Sequence, residues 1–278
     1  MDVIGAPPLR KTIMICQPFG IGDVLFIQKI IHHYASRDFK VVVPILDAIG
    51  WMRYYLAPRK NVEYPLISVK DGVASGDFKF AEPFFSLSDA AGPKGDFSTG
   101  TFKTPILYNR GDEVDGFIFL ALGSSYKWLN DTVMSSKYRY VELDPSDWAR
   151  YCHIKRRTEV ERELYYDVLG LKDDSRYTLV NEECSGGSKP FDVPGNVVRL
   201  RRVDGFTLFD WMLVIEKASQ IVTIDTSLVL LAEILKVKVP LTMVSRYDPP
   251  SFDDVKDILR LQWDLVLTPQ ELKIKPIV

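Results

Sequence analysis

Three stretches of this sequence combine small, flexible residues with groups that can move protons or hold anions. The first is Gly20-Ile21-Gly22-Asp23, which follows the apolar run Lys11–Cys16 (KTIMIC). A carboxylate at the carboxyl end of a strand, beside glycines that admit a substrate, suits a general base. Such a base, positioned on a hydroxyl, typically contributes about 10²–10⁴ in rate. Helix capping by Asp23 explains the same spacing equally well. The second stretch is Asn181–Lys189 (NEECSGGSK), where a strand runs into Ser185, Gly186-Gly187, Ser188 and Lys189. Hydroxyl donors and a point charge around glycines can grip phosphate, although the spacing is not that of a Walker loop and a surface turn has the same composition. The third is Asp225-Thr226-Ser227, set between the β-branched run Ile221–Ile224 and the apolar Leu228–Leu235. A strand that breaks here and restarts as a helix leaves backbone N–H groups beyond the sheet edge, each worth roughly 0.3–1 kcal/mol to an exposed anion. Asp, Thr and Ser are also preferred N-caps, and the tripeptide alone reads first as a cap.

The elements that must position these groups alternate in type. Lys11–Cys16, Lys40–Leu46 (KVVVPIL) and Val62–Leu66 read as strands, with helical spacing over Val24–Tyr34 and Ala48–Leu56 between them. This β-α-β-α-β order calls for a parallel sheet with right-handed crossovers. Residues 68–135 are punctuated by Gly, Pro, Ser and Asp with aromatic pieces, an irregular region that could wall a second substrate. Within it Gly116–Leu122 is a buried apolar segment of either type, and Tyr138–Leu143 follows as a strand candidate. A helix over Pro145–Leu169, stopped by Gly170, joins the halves. Beyond it lie strands at Arg176–Asn181, Asn196–Leu200, Val239–Val244 and Trp263–Val266, and a helix at Asp253–Leu259. Thr207 and Asp210 form a variant capping box for a helix over Leu208–Ala218. The expected division is residues 1–144, a connection at 145–170, and 171–278, with the last residues returning to the first half.

Composition sets the broad class. The chain has 278 residues, 46% of them hydrophobic and 26% charged, and a net charge of −2. That is a globular composition with no bulk electrostatic case for nucleic acid. The basic clusters at Arg53/Arg59/Lys60, Arg150/Lys155/Arg156/Arg157 and Arg199/Arg201/Arg202 read as solvated faces. Cys16, Cys152 and Cys184 are odd in number and widely spaced, which suits free thiols in a reducing compartment. Without a secretory leader or an apolar run of membrane-spanning length, the expected location is the cytoplasm.

In their order along the chain, the three stretches resemble the family 9 glycosyltransferases, the heptosyltransferase-like enzymes. The match runs over residues 11–65 and 172–250. The resemblance implies an α/β chain of the GT-B fold, two facing Rossmann-like domains with parallel sheets and a cleft between them. It makes Asp23 the catalytic base, with Gly20 and Gly22 in the acceptor-side loop. It gives Ser185, Ser188, Lys189, Thr226 and Ser227 to the donor's phosphates and Asp225 to its sugar. The implied reaction is inverting and metal-independent sugar transfer from a nucleotide-sugar co-substrate to a hydroxyl of a glycan or other acceptor, with no further cofactor. The sequence departs from the family at Ser227, where a Gly is usual, and at Leu230, where a His is usual. Only six residues separate Lys189 from Asn196, where the family inserts a helix and a strand.

Three other functions compete. Gly20, Gly22 and Asp47 could serve a nicotinamide-dependent oxidoreductase, but Leu25 takes the third glycine's place and Asp23 occupies the helix end that a pyrophosphate would need. The departures at Ser227 and Leu230 also fit a GT-B scaffold without activity. The basic clusters permit a transferase acting on modified DNA.

Overall fold

The computed structural model describes residues 11–17, 20–70, 73–76, 78–79, 101–102, 107–108, 116–120, 132–184 and 187–277. Two five-stranded sheets organise them. In the first the order is Val62–Glu63, Lys40–Val42, Thr12–Cys16, Gly116–Phe119 and Thr101–Phe102, parallel except for the last pair. In the second it is Val197–Arg199, Thr178–Asn181, Gln220–Ile224, Leu241–Val244 and Trp263–Val266, parallel throughout. Thr12–Cys16 and Gln220–Ile224 lie at or next to the sheet centres and are buried along their whole length. That is why both read as unbroken apolar or β-branched runs instead of alternating ones.

Several elements differ from the sequence expectation, each for a local reason. Pro44 has no N–H for the ladder, and the run Lys40–Leu46 splits there. Lys40–Val42 stays in the first sheet while Ile45–Leu46 pairs with Leu66–Lys70 in a separate three-stranded sheet. Gly116–Phe119 resolves as a strand parallel to Thr12–Cys16. Tyr138–Leu143 is not a strand. Residues Val133–Arg139 form a helix capped by Thr132, whose side chain accepts from Ser135 N. Its buried face carries Met134, Lys137 and Tyr138 at helical spacing. The joining helix is shorter than expected, a 3₁₀ turn at Trp148–Tyr151 and then α and π turns over Thr158–Val168. Residues 253–258 form turns and not a helix. Most of the aromatic-rich middle, including much of 80–115, lies outside the described residues. The last segment sits on the second sheet, with Leu272 and Ile274 against the cluster containing Val180 and Phe191, and Ile277 bridged to Gly195.

The two large buried clusters each mix residues from both halves of the chain. Val229, Leu230 and Met243 join the cluster built on the first sheet, while Val24, Leu25, Met52 and Tyr55 join the one beneath the second. A polar bracket crosses the same boundary. Tyr55 donates its hydroxyl to Asp210 at 2.9 Å, Arg157 reaches the same carboxylate with two nitrogens at 3.0 and 2.7 Å, and Thr207 N donates to it at 2.7 Å. Thr207 and Asp210 form the expected capping box, so one buried carboxylate starts a helix and ties it to the first half. Among the basic clusters, Arg156, Arg157 and Arg199 are held by acidic partners. Among the described residues no helix is long and apolar enough to cross a membrane.

Burial pushes the Asp210 acid up, but the Arg157, Thr207 and Tyr55 hydrogen bonds outweigh it and hold it below the usual carboxylate range. The stabilisation is therefore present above the unfolded-state value near 4 and is lost as pH falls through the lower folded value. Asp210→Ala is expected to cost about 1–3 kcal/mol in urea unfolding, because it removes the helix cap and the carboxylate acceptor of the buried Tyr55 hydroxyl, while Arg157 stays partly open to solvent. Asp210→Asn is expected to flatten the loss of stability below about pH 4.

Candidate functional site

The strand Thr12–Cys16 feeds, through Gln17 and Gly20, into the helix Ile21–Phe26. Gly20 is its N-cap, with φ at 76°, and a Cβ there would stand 2.6 Å from Asp23 Oδ2. Glycine is required on both counts, since a left-handed backbone disfavours other residues and the space belongs to the carboxylate. Asp23 lies in the first turn of a helix whose N-cap, Gly20, has no side chain to cap it. Its Oδ1 is 2.9 Å from Lys137 Nζ. Lys137 is 1% exposed and also donates to Gln17 Oε1 at 2.7 Å and to the Leu120 carbonyl at 2.9 Å, whereas Asp23 is 32% exposed. A buried ammonium with three acceptors thus fixes a carboxylate that lies against Gly20 through Oδ2 and is about one-third exposed at 32%.

The strand Gln220–Ile224 leads in the same way into the helix Ser227–Leu235. Thr226 is the cap. Its hydroxyl accepts from Leu228 N at 3.3 Å and from Asn181 Nδ2 at 2.9 Å. The two helix starts meet directly, because a Cβ on Gly22 would lie 3.1 Å from Leu230 Cδ1 and 3.6 Å from Ser227 Cα. Gly20, Gly22, Asp23, Asn181, Asp225, Thr226, Ser227 and Arg246 all line one cavity of about 1150 Å³. Pockets for a single small ligand usually measure roughly 300–1,000 Å³, so this cavity lies at the large end of that range.

Asp225 is 3% exposed, and its Oδ2 makes no hydrogen bond. The nearest cation is Arg246, with Nε at 3.8 Å. Burial raises its acid to about 6, partly offset by Arg246 and reinforced by the carboxylates of Asp254 and Asp23. Arg246 itself spreads over Tyr247, its guanidinium 4.9 Å from the ring centroid and one nitrogen 2.7 Å from the phenol oxygen.

The phosphate-gripping loop is placed differently. Gly187–Ser188 pairs with Glu183–Cys184 in a small exposed hairpin. Lys189 directs Nζ to the carbonyls of Ser245 at 2.7 Å and Tyr247 at 3.4 Å. Neither Ser188 nor Lys189 is among the described lining residues, and Ser185 lies outside the described residues. Asp47 is not among the described lining residues either, although its neighbours Leu46 and Ile49 are, and it accepts from Ala48 N and Ser68 Oγ. Sequence reasoning missed Lys137 and Arg246. A lysine on the apolar face Met134/Lys137/Tyr138 was the available signal for the first. The position of Arg246 two residues after a buried strand was the signal for the second. Among the described residues no group of three or more His, Cys, Asp or Glu converges in a way that could hold a metal ion.

No family profile and no curated protein matches this sequence. Solved structures do resemble its fold. A family 9 glycosyl transferase from Veillonella parvula aligns over 92% of this chain and 85% of its own, at 12% identity and a TM-score of 0.50. The iron-containing dodecameric glycosyltransferase TibC from enterotoxigenic E. coli aligns over 84% and 58%, at 11% identity and 0.45. E. coli heptosyltransferase WaaC with ADP aligns over 94% and 93%, at 13% identity and 0.38. The first of these alignments shows a shared fold, the mixed α/β arrangement of a family 9 glycosyltransferase.

The raised Asp225 acid has a definite sign in stability. Between the unfolded value near 4 and about 6 the folded chain holds a proton that the unfolded chain has released, so stability falls as pH rises through that window. Urea unfolding of wild type is expected to lose up to ~3 kcal/mol relative to Asp225→Asn between pH 4 and pH 7. Parallel profiles for the two proteins would refute the assignment.

Proposed function

We propose that this chain is an inverting, metal-independent glycosyltransferase of the GT-B kind, its first half serving the acceptor and its second half the donor. The observation that carries the reading is that Asp23 and Thr226–Ser227, more than two hundred residues apart in the chain, line one cavity where two helix starts meet. The shared fold with a family 9 glycosyl transferase supports it. E. coli WaaC has been captured with ADP and with ADP-2-deoxy-2-fluoro heptose, which names a nucleoside diphosphate sugar as the class of donor to try first.

In this reading the diphosphate of a nucleotide sugar lies at the start of helix Ser227–Leu235, where the backbone N–H groups and the helix dipole favour negative charge. They stabilise the charge that builds on the leaving phosphate as the anomeric C–O bond breaks. Asp225, beside them, accepts hydrogen bonds from hydroxyls of the sugar. Asp23 takes the proton of the acceptor hydroxyl while that oxygen forms the new bond to the anomeric carbon from the opposite face, which inverts the centre. Lys137 keeps the Asp23 carboxylate in one orientation through Oδ1 and leaves the other oxygen for the proton. The acceptor, a glycan or another hydroxyl compound, occupies the remaining volume near Gly20 and Gly22.

Incubation with a panel of nucleoside diphosphate sugars is expected to release the nucleoside diphosphate from one of them, by transfer or by slow hydrolysis. Asp23→Asn is expected to slow that release by about 10²–10⁴ while donor affinity in calorimetry stays within a few-fold. If no nucleoside diphosphate or nucleotide sugar raises the melting temperature at millimolar concentration, the donor site does not exist.

A further inference from the structure

We infer that Arg246, and not Lys189, is the side chain that receives the negative charge of the donor's diphosphate, and that Lys189 holds the turn that presents it. The inference rests on the donor reading above and concerns which residue performs the binding. Arg246 is the one cationic side chain among the described residues lining the cavity. The same lining includes six carboxylates, those of Asp23, Glu183, Asp225, Asp248, Asp253 and Asp254. Without Arg246 the charged side chains described there would all be acidic, and a diphosphate would be repelled.

The guanidinium is oriented but not used up. It offers five N–H donors in a planar fork that matches phosphate oxygens. One nitrogen donates to Tyr247 Oη at 2.7 Å, and stacking over that ring fixes the plane. Its neighbour Asp225 stands 3.8 Å from Nε, beyond hydrogen-bond range, so the pair leaves donors for a ligand. Tyr247 is in turn held by Asp254, to which its hydroxyl donates.

Lys189 acts on the backbone on either side of Arg246. Its ammonium donates to the carbonyls of Ser245 and Tyr247, the two residues that flank the arginine. Ser245 Oγ completes the brace, donating to Ser251 O at 2.9 Å and accepting from Ser251 N at 2.9 Å and Tyr247 N at 3.3 Å. The turn is therefore clamped from both sides while the guanidinium stays one-third exposed at the cavity.

The test is a double-mutant cycle read by calorimetry, with inorganic pyrophosphate and the diphosphates of adenosine, guanosine, uridine and cytidine as probes. Arg246→Gln is expected to weaken the best probe at least about tenfold, with Arg246→Lys intermediate because it keeps the charge and loses the fork. Lys189→Gln is expected to weaken binding less, and to change nothing further in the Arg246→Gln background, because it acts through the arginine. Unchanged binding in Arg246→Gln would overturn the inference and leave the donor reading standing. An equal loss from Lys189→Gln in both backgrounds would overturn it too, because it would place the lysine on the phosphate. If wild type binds none of the probes, the inference falls together with the donor reading. Melting temperatures separate binding from folding, with the Arg246 variants expected near wild type because that side chain is one-third exposed, and Lys189→Gln expected lower because it loses the brace on the turn.

Discussion

Gly22 is the position on which the arrangement of this protein turns. Where it faces Ser227 and Leu230 it has no side chain, so the starts of two helices from distant parts of the chain come into direct contact. The contact places Asp23 and Thr226 at a common cavity. It also closes the core, since Leu230 is buried and belongs with the cluster under the first sheet. A Cβ at Gly22 would press on the end of the Leu230 side chain at 3.1 Å and meet the Ser227 backbone at an ordinary 3.6 Å, so the junction favours a small residue. Here Gly22 supplies it from the first helix, which lets the second helix begin with Ser227 and carry Leu230 inward.

The buried carboxylates among the described residues fall into two kinds, and the difference follows from their partners. Asp210 is fully buried and is met by Arg157, Thr207 and Tyr55, and its acid is held low. Glu233, on the otherwise apolar helix Ser227–Leu235, is met by the N–H groups of Arg260 and Leu261 and the indole of Trp263. Both are satisfied, as buried polar groups in a structural role must be. Asp225 is as deeply buried, yet one of its oxygens has no hydrogen bond and its acid is raised. A group left underpaired at a cavity wall marks a place where a ligand can complete it.

Much of the fold was legible because local chemistry and tertiary role agree. The runs Thr12–Cys16, Gln220–Ile224 and Leu241–Val244 are buried on both faces, and burial on both faces writes a continuous apolar signature. The Thr207/Asp210 box was readable as a helix start for the same local reason. Where reading failed, a non-local term had intervened. Tyr138–Leu143 has the residues of a strand, but Tyr138 turns its ring edge-on to Phe26 and its helix closes over the first sheet. The loop after Asn181 had the composition of a phosphate grip, and its lysine turned toward two carbonyls of a turn more than fifty residues away.

The sequence by itself determined the elements and their order. It located two strand-to-helix junctions with small polar residues, placed a carboxylate in the first turn of one, and put a run of N-capping residues at the other. Those are short-range properties, set by propensity, capping and the burial pattern of each strand. The tertiary structure alone decided that the two junctions touch, that a lysine from a third element fixes Asp23, and that the cation at the cavity is Arg246. Each of these depends on which residues, far apart in the chain, the packing of the core brings within a few ångströms, and no local pattern encodes that distance.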